Sequence, residues 1–186
     1  PKIVKKDFYI QNFGAKKKII VDYSSPNIAK SMHVGHLRST ILGQTIYNLF
    51  KTIGYKPIGI NHLGDWGTQF GAVISAIKLW APKEKLSIGK ILELYVKFNK
   101  EKENNPKLEE MAREEFKKLE NNNKENIKIW KTCREISLKE FKKTYDKLDI
   151  KFDFITGESF YKDKTKEILK DALDKKIGIH QSDNTI

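Results

Sequence analysis

Lys18-Ile19-Ile20-Val21-Asp22-Tyr23 is a β-branched run that stops at the turn Ser24-Ser25-Pro26, and a long helical pattern follows it. Within that pattern Leu37, Ile41, Ile46, Leu49, Phe50 and Ile53 recur at helical spacing, and Gly54 stands where a helix closes. The cycle then repeats. Pro57-Ile58-Gly59-Ile60-Asn61 reads as a second strand, His62-Leu63-Gly64-Asp65-Trp66-Gly67 as a glycine-rich turn, and residues 68–80 as a second helix. Strand, helix, strand, helix with short connections specifies an α/β fold, a parallel sheet with crossover helices. Ligands of open parallel sheets bind beyond the carboxyl ends of the strands. Segments 22–36 and 61–69 both begin at such ends and are expected to converge. The first run is expected to be a buried strand.

The remainder reads differently. Pro82 and Pro106 punctuate residues 82–149, Asn121-Asn122-Asn123 marks a turn, and charged helices are predicted over 88–103, 107–120 and 125–147. In the last of these Ile127, Trp130, Ile136, Phe141 and Tyr145 form an approximate inner stripe. Lys151-Phe152-Asp153-Phe154-Ile155 alternates like a strand, and a final helix is predicted over 164–176, ended by Gly178. The expected division is an approach segment over 1–17, the first half of the nucleotide fold over 18–81, a helical insertion over 82–149, and a return strand and helix over 150–186. The chain starts without Met and stops inside a strand-like pattern, so we expect a piece of a longer protein.

The formal charge of +12 suits a polyanionic partner such as nucleic acid or a phosphate-rich substrate. Nearly all of that charge is lysine interleaved with glutamate, as in Lys97-Phe98-Asn99-Lys100-Glu101-Lys102-Glu103, which is also the look of a solvated helix face. A lone cysteine, Cys133, excludes a disulfide framework and fits a reducing compartment, with the thiol read as structural. No apolar run approaches the roughly 18 to 20 residues of a membrane span, so a membrane role is not expected.

His33 and His36 flank the start of the first helix with Gly35 between them and Lys30 three residues upstream of His33. A helix N-terminus offers unpaired N–H groups and a positive dipole end, a ready site for phosphate. Imidazoles there can donate to phosphate oxygens, and the help grows as charge builds in a transition state. The glycine allows a nucleotide ring to pack closely. The competing reading makes His33 a helix cap and His36 a packed side chain. Asp22, Ser25 and Asn27 add a carboxylate, a hydroxyl and an amide, groups able to hold the ammonium and carboxylate of an amino acid.

These segments resemble the class I aminoacyl-tRNA synthetases, and within them the arginyl-tRNA synthetases. The resemblance rests on Ser25-Pro26-Asn27-Ile28-Ala29-Lys30, on His33-Val34-Gly35-His36-Leu37-Arg38-Ser39-Thr40, and on Asn61-His62-Leu63-Gly64-Asp65-Trp66-Gly67-Thr68-Gln69-Phe70-Gly71, with Gly157-Glu158-Ser159-Phe160-Tyr161 as a weaker match. It covers about residues 18–180, and His33-Val34-Gly35-His36 stands where such enzymes carry their H-I-G-H signature.

The resemblance implies the N-terminal half of a Rossmann-like nucleotide-binding domain, interrupted by a largely helical insertion. It implies His33, His36 and Lys30 as catalytic residues, and Asp22, Ser25, Asn27 and His36 as arginine-binding. Lys30, His33, Gly35 and His36 would bind ATP, and Gly64, Asp65, Trp66, Gly67 and Gln69 would form a second wall. For that wall the residues alone allow a bland reading, with Asp65 a helix cap, Trp66 core, and both glycines turn residues. His62 reads as structural. The implied partners are tRNA(Arg), L-arginine and ATP in the cytoplasm, with no metal ligands in this chain and Mg²⁺ arriving on the nucleotide. A K-M-S-K-S-like loop, the residues that grip the guanidinium and the helical anticodon-binding domain do not occur in this sequence, so it is expected to hold half a site and to be inactive alone. Two other readings stay open on the residues: a nucleotidylyltransferase of the H-x-G-H superfamily acting on a small acid or phosphate, and a non-catalytic RNA-binding scaffold.

Overall fold

The computed structural model describes residues 12–179 of the chain. Three parallel strands, β1 (Lys18–Asp22), β2 (Lys56–Leu63) and β3 (Phe154–Gly157), form a sheet in the order β1-β2-β3. Helix α1 (Val34–Thr52) connects β1 to β2. Helices α2 (Gln69–Trp80), α3 (Ile88–Lys102), α4 (Pro106–Glu120) and α5 (Lys124–Lys147) lie between β2 and β3, and a 3₁₀ turn (Glu158–Tyr161) leads to α6 (Thr165–Asp174).

The starts of α3, α4 and α5 carry a local cause. Ser87 Oγ accepts the Lys90 N–H ahead of α3, Asn105 caps α4 with Pro106 in its first turn, and Asn123 Oδ1 accepts the N–H groups of Glu125 and Asn126 ahead of α5. Such side chains satisfy donors that the helix itself leaves unpaired. These punctuation residues explain why sequence and structure agree within a residue or two for the four central helices.

The main core lies around α2. Its residues from Phe70 to Ile77 are all buried, enclosed by Ile91, Leu94 and Phe98 of α3, Leu119 of α4 and Phe141 of α5. At Gly71 a Cβ would overlap the Ala112 carbonyl oxygen, so glycine is what lets α2 and α4 approach closely. Inside this core Lys78 Nζ donates to Glu115 Oε2 and to Asn126 Oδ1, both at 2.7 Å. Asn126 Nδ2 donates to the Glu115 carbonyl and to its Oε2 at 2.8 Å, and Lys118 reaches Oε1 at 2.7 Å. Burial alone would raise the Glu115 pKa, but the hydrogen bonds from Lys118, Lys78 and Asn126 outweigh it and hold the value at about 2.

Four expectations require correction. The first strand is not buried: β1 sits at the sheet edge, and Ile20 is 65 % exposed. The apolar residues of α1 do not all turn inward. Only Thr40 and Gly43 are buried, while Ile41, Leu42, Ile46 and Leu49 face outward. The third strand begins at Phe154, three residues later than the alternation suggested. Phe152 instead packs on Tyr23 and Tyr145, and Asp153 Oδ2 accepts the Gly59 N–H at 2.7 Å, which uses the preceding residues as a clasp on β2. The buried stripe of α5 is Asn126, Cys133, Ser137, Phe141 and Tyr145, whereas Ile127, Trp130 and Ile136 are only partly buried. Polar members of that stripe are bonded by other elements, a partnership invisible to a search for apolar periodicity. Cys133 is wholly buried, and burial raises its thiol pKa to about 12, as befits an inert structural thiol.

Candidate active site at the carboxyl edge of the sheet

β1 and β2 are parallel, so Asp22 and Leu63 end at the same edge of the sheet. There the two sequence blocks pair directly. Gly64 N–H donates to the Pro26 carbonyl at 3.2 Å and Ile28 N–H to the Gly64 carbonyl at 3.1 Å, an isolated parallel bridge between Asn27 and Gly64. A Cβ on residue 64 would overlap the Asn27 amide oxygen, so glycine is needed for this contact. Segments 22–36 and 61–69 do converge.

The turn leaving β1 has an unusual backbone. Ser24, Ser25 and Ala29 take φ values of +75°, +46° and +65°, the left-handed region that L side chains avoid. Each such residue costs on the order of 1 kcal/mol, and this conformation persists only where surrounding structure holds it. Ser25 N–H is held by Asn61 Oδ1 at 3.1 Å, Ser25 Oγ donates to Asp22 Oδ1 at 3.1 Å, and Ala29 N–H donates to Ser137 Oγ of α5 at 2.9 Å.

At the start of α1 the two histidines cap and present at once. His33 Nδ1 accepts the Gly35 N–H at 3.2 Å, and His36 Nδ1 accepts the His33 N–H at 3.3 Å. A ring nitrogen that accepts carries no proton, so in the neutral form both hydrogens sit on Nε2. Cap and phosphate ligand are therefore compatible roles. The rings lie 3.9 Å apart between centroids, with a Cβ on residue 35 fitting only tightly against the His33 ring. Desolvation, then the neighbouring His33 and Lys30, lower the His36 pKa, which keeps its Nδ1 free to accept at neutral pH.

Lys30 is placed beside rather than among them. Its Nζ lies 5.5 Å from the Tyr95 ring centroid, in a small cleft lined also by Gln69, Phe70 and Val73. The four-carbon stem gives the ammonium the reach to swing from that ring. Gln69 thus shares a cleft with Lys30.

Asp65 and Trp66 point elsewhere. Asp65 is fully buried; its Oδ1 accepts the Ser159 N–H at 2.8 Å, and its Oδ2 accepts Ser159 Oγ and Arg134 Nε, each at 2.9 Å. It is not a helix cap, because Thr68 occupies that position before α2 with no side-chain bond. Its carboxylate has no surface to offer a ligand and instead ties the end of β2 to α5 and the 3₁₀ turn. Trp66 stacks edge-on against Trp130 and Phe116, and its N–H donates to Glu158 Oε2 at 3.2 Å. Gly67 has φ +113° and serves the turn. His62 sits on β2 against Tyr161.

The sequence reading missed Asn61, Arg134 and Tyr145. Arg134 had a visible signal, being one of few arginines in a lysine-rich chain, and the guanidinium is the cation suited to fixed pairing with a buried carboxylate.

The comparisons with known proteins say which family builds such an edge. The family model described as "tRNA synthetases class I (R), catalytic domain" matches residues 2–186. The chain belongs to that family. It is 51 % identical over 165 residues to an arginine–tRNA ligase of Clostridium botulinum and 48 % identical over 168 residues to that of Halothermothrix orenii, covering 87 % and 89 % of this chain. It spans only 29 % and 30 % of those relatives. Among solved structures, the arginyl-tRNA synthetase of Plasmodium falciparum superposes with a TM-score of 0.71 at 40 % identity, over 87 % of this chain and 27 % of that one. The Thermus thermophilus enzyme gives 0.62 at 25 % identity, over 89 % and 27 %. Family membership favours a synthetase over a nucleotidylyltransferase that works without tRNA. No helix among the described residues is long and apolar enough to cross a membrane.

Proposed function

We propose that this chain is the first half of the catalytic site of a cytoplasmic arginine–tRNA ligase. The reading rests on one observation above others: both imidazoles accept backbone N–H groups at Nδ1 and so present Nε2–H donors at a helix start. That donor set, with a helix dipole and the mobile Lys30, fits phosphate rather than a cation, so Mg²⁺ would arrive liganded by ATP. In the first step the arginine carboxylate attacks the α-phosphorus of ATP; pyrophosphate leaves and arginyl-adenylate forms. His33, His36 and Lys30 would bind phosphate oxygens and stabilise the charge that develops on them. Asp22, Ser25 and Asn27 would hold the amino acid, with Gly64 and Gln69 behind them. The 2′-hydroxyl of the terminal adenosine of tRNA(Arg) then attacks the carbonyl of the adenylate, the acyl–phosphate bond breaks, and AMP leaves as the arginyl ester forms. The chain contributes positioning and electrostatics, with no covalent protein nucleophile.

His36→Asn keeps an acceptor near the Nδ1 position and deletes the outward donor. In the full-length protein it should lower kcat for tRNA arginylation about 100-fold, the scale of losing one oxyanion donor. Unchanged arginylation would show that His36 does not stabilise the reaction, and absent arginylation in the parent protein would favour a non-catalytic RNA-binding module. The 186-residue chain alone should bind ATP and arginine weakly and arginylate no tRNA, a point that incorporation of labelled arginine into acid-precipitable tRNA reads directly.

A further inference from the structure

The left-handed turn after β1 is held from a distance by a chain of hydrogen bonds. Thr40 Oγ1 lies 2.7 Å from the His36 carbonyl and 2.9 Å from Ser24 Oγ, with its hydroxyl placed to donate to either. Ser24 Oγ lies 2.7 Å from the Tyr145 hydroxyl. Tyr145 in turn accepts from Asn61 Nδ2 at 3.1 Å, and the Asn61 amide orientation is fixed because Oδ1 accepts the Ser25 N–H. Ser24, Thr40, Asn61 and Tyr145 are all buried, so a broken link strands polar atoms away from water. Burial also raises the phenol pKa, so Tyr145 keeps the proton that the chain requires.

We infer that Tyr145, carried on helix α5 far along the chain, is a positioning residue that holds Ser24 and Ser25 in the conformation that binds the amino acid. The inference rests on the proposed arginine site. Without the phenolic oxygen, Ser24 loses a hydrogen-bond partner and Asn61 its acceptor, and the Ser25 N–H loses a fixed partner. The Thr40 bond to the His36 carbonyl survives, so the nucleotide side is spared.

Tyr145→Phe in the full-length enzyme should raise KM for arginine about tenfold while KM for ATP changes little, since one buried hydrogen-bond partner is worth about a factor of ten. Equal rises in both KM values, or none, would overturn the inference. If that variant fails to fold, Thr40→Val cuts the same chain from α1 and must raise KM for arginine; an unchanged value overturns the inference. If the wild-type protein shows no arginine-dependent activity, the proposed function fails separately. Amide exchange at Ser25 in the full-length protein then decides, with about tenfold faster exchange in Tyr145→Phe expected and equal exchange counting against it.

Discussion

Helices α1 and α2 both follow a strand of the same sheet and both carry apolar residues at helical spacing, yet they meet opposite fates. α2 is buried from Phe70 to Ile77 because α3, α4 and α5, all encoded within the next seventy-odd residues, close over it. α1 buries Thr40 and Gly43 and leaves Leu42 56 % and Leu49 58 % exposed, beside the uncovered edge of β1. Apolar periodicity states which residues can be covered; only the position of other elements states which are. With the chain spanning 29 % of its Clostridium botulinum relative, we expect the cover for α1 from residues outside this segment.

The contrast can be broken by mutation. Phe70→Ala should cost about 4 kcal/mol of unfolding free energy, the scale of a fully buried aromatic truncated in a core, as read by urea denaturation. A cost below 1 kcal/mol would show that the α2 core is not where the stability lies.

Glu115 tests the polar centre of that core. Its folded pKa, about 2, lies below the usual carboxylate value, so its contribution is fully present above pH 4.5 and is lost as pH falls through about 2. The shift corresponds to about 3 kcal/mol at neutral pH. Glu115→Gln should abolish this part of the acid dependence, so that stability curves of variant and parent approach one another toward pH 2. Parallel curves would show that the lysine and asparagine contacts do not set the titration.

The smallest effect is expected on the other side of the sheet. Leu49→Ala in the 186-residue chain should change stability by less than about 0.5 kcal/mol, as for other exposed positions, whereas in the full-length enzyme it should cost about 2 kcal/mol. Equal small values in both would mean that α1 stays exposed in the whole protein.

Much of the architecture was legible because its causes are local. Gly54, Ser87, Asn105-Pro106 and the Asn123 cap act within one turn of their own positions, so the helices read almost to the residue. The convergence of the two glycine and histidine blocks was also legible, since parallel strands must end at one edge. The α5 stripe was not. Ser137 and Asn126 are buried because Ala29, Glu115 and Lys78, all on other elements, supply their partners.

The sequence by itself determined the strand–helix alternation, the placement of His33, Gly35 and His36 at a helix start, and the edge at which Asp22, Ser25 and Asn27 stand. Tertiary structure alone decided that Asp65 is buried and tied to Arg134 and Ser159, that β1 is an edge, and that Tyr145 bonds Ser24. The physical reason is range. Propensity, capping and turn chemistry act over a few residues, whereas satisfying a buried polar atom or covering an apolar face depends on other elements that the fold brings alongside.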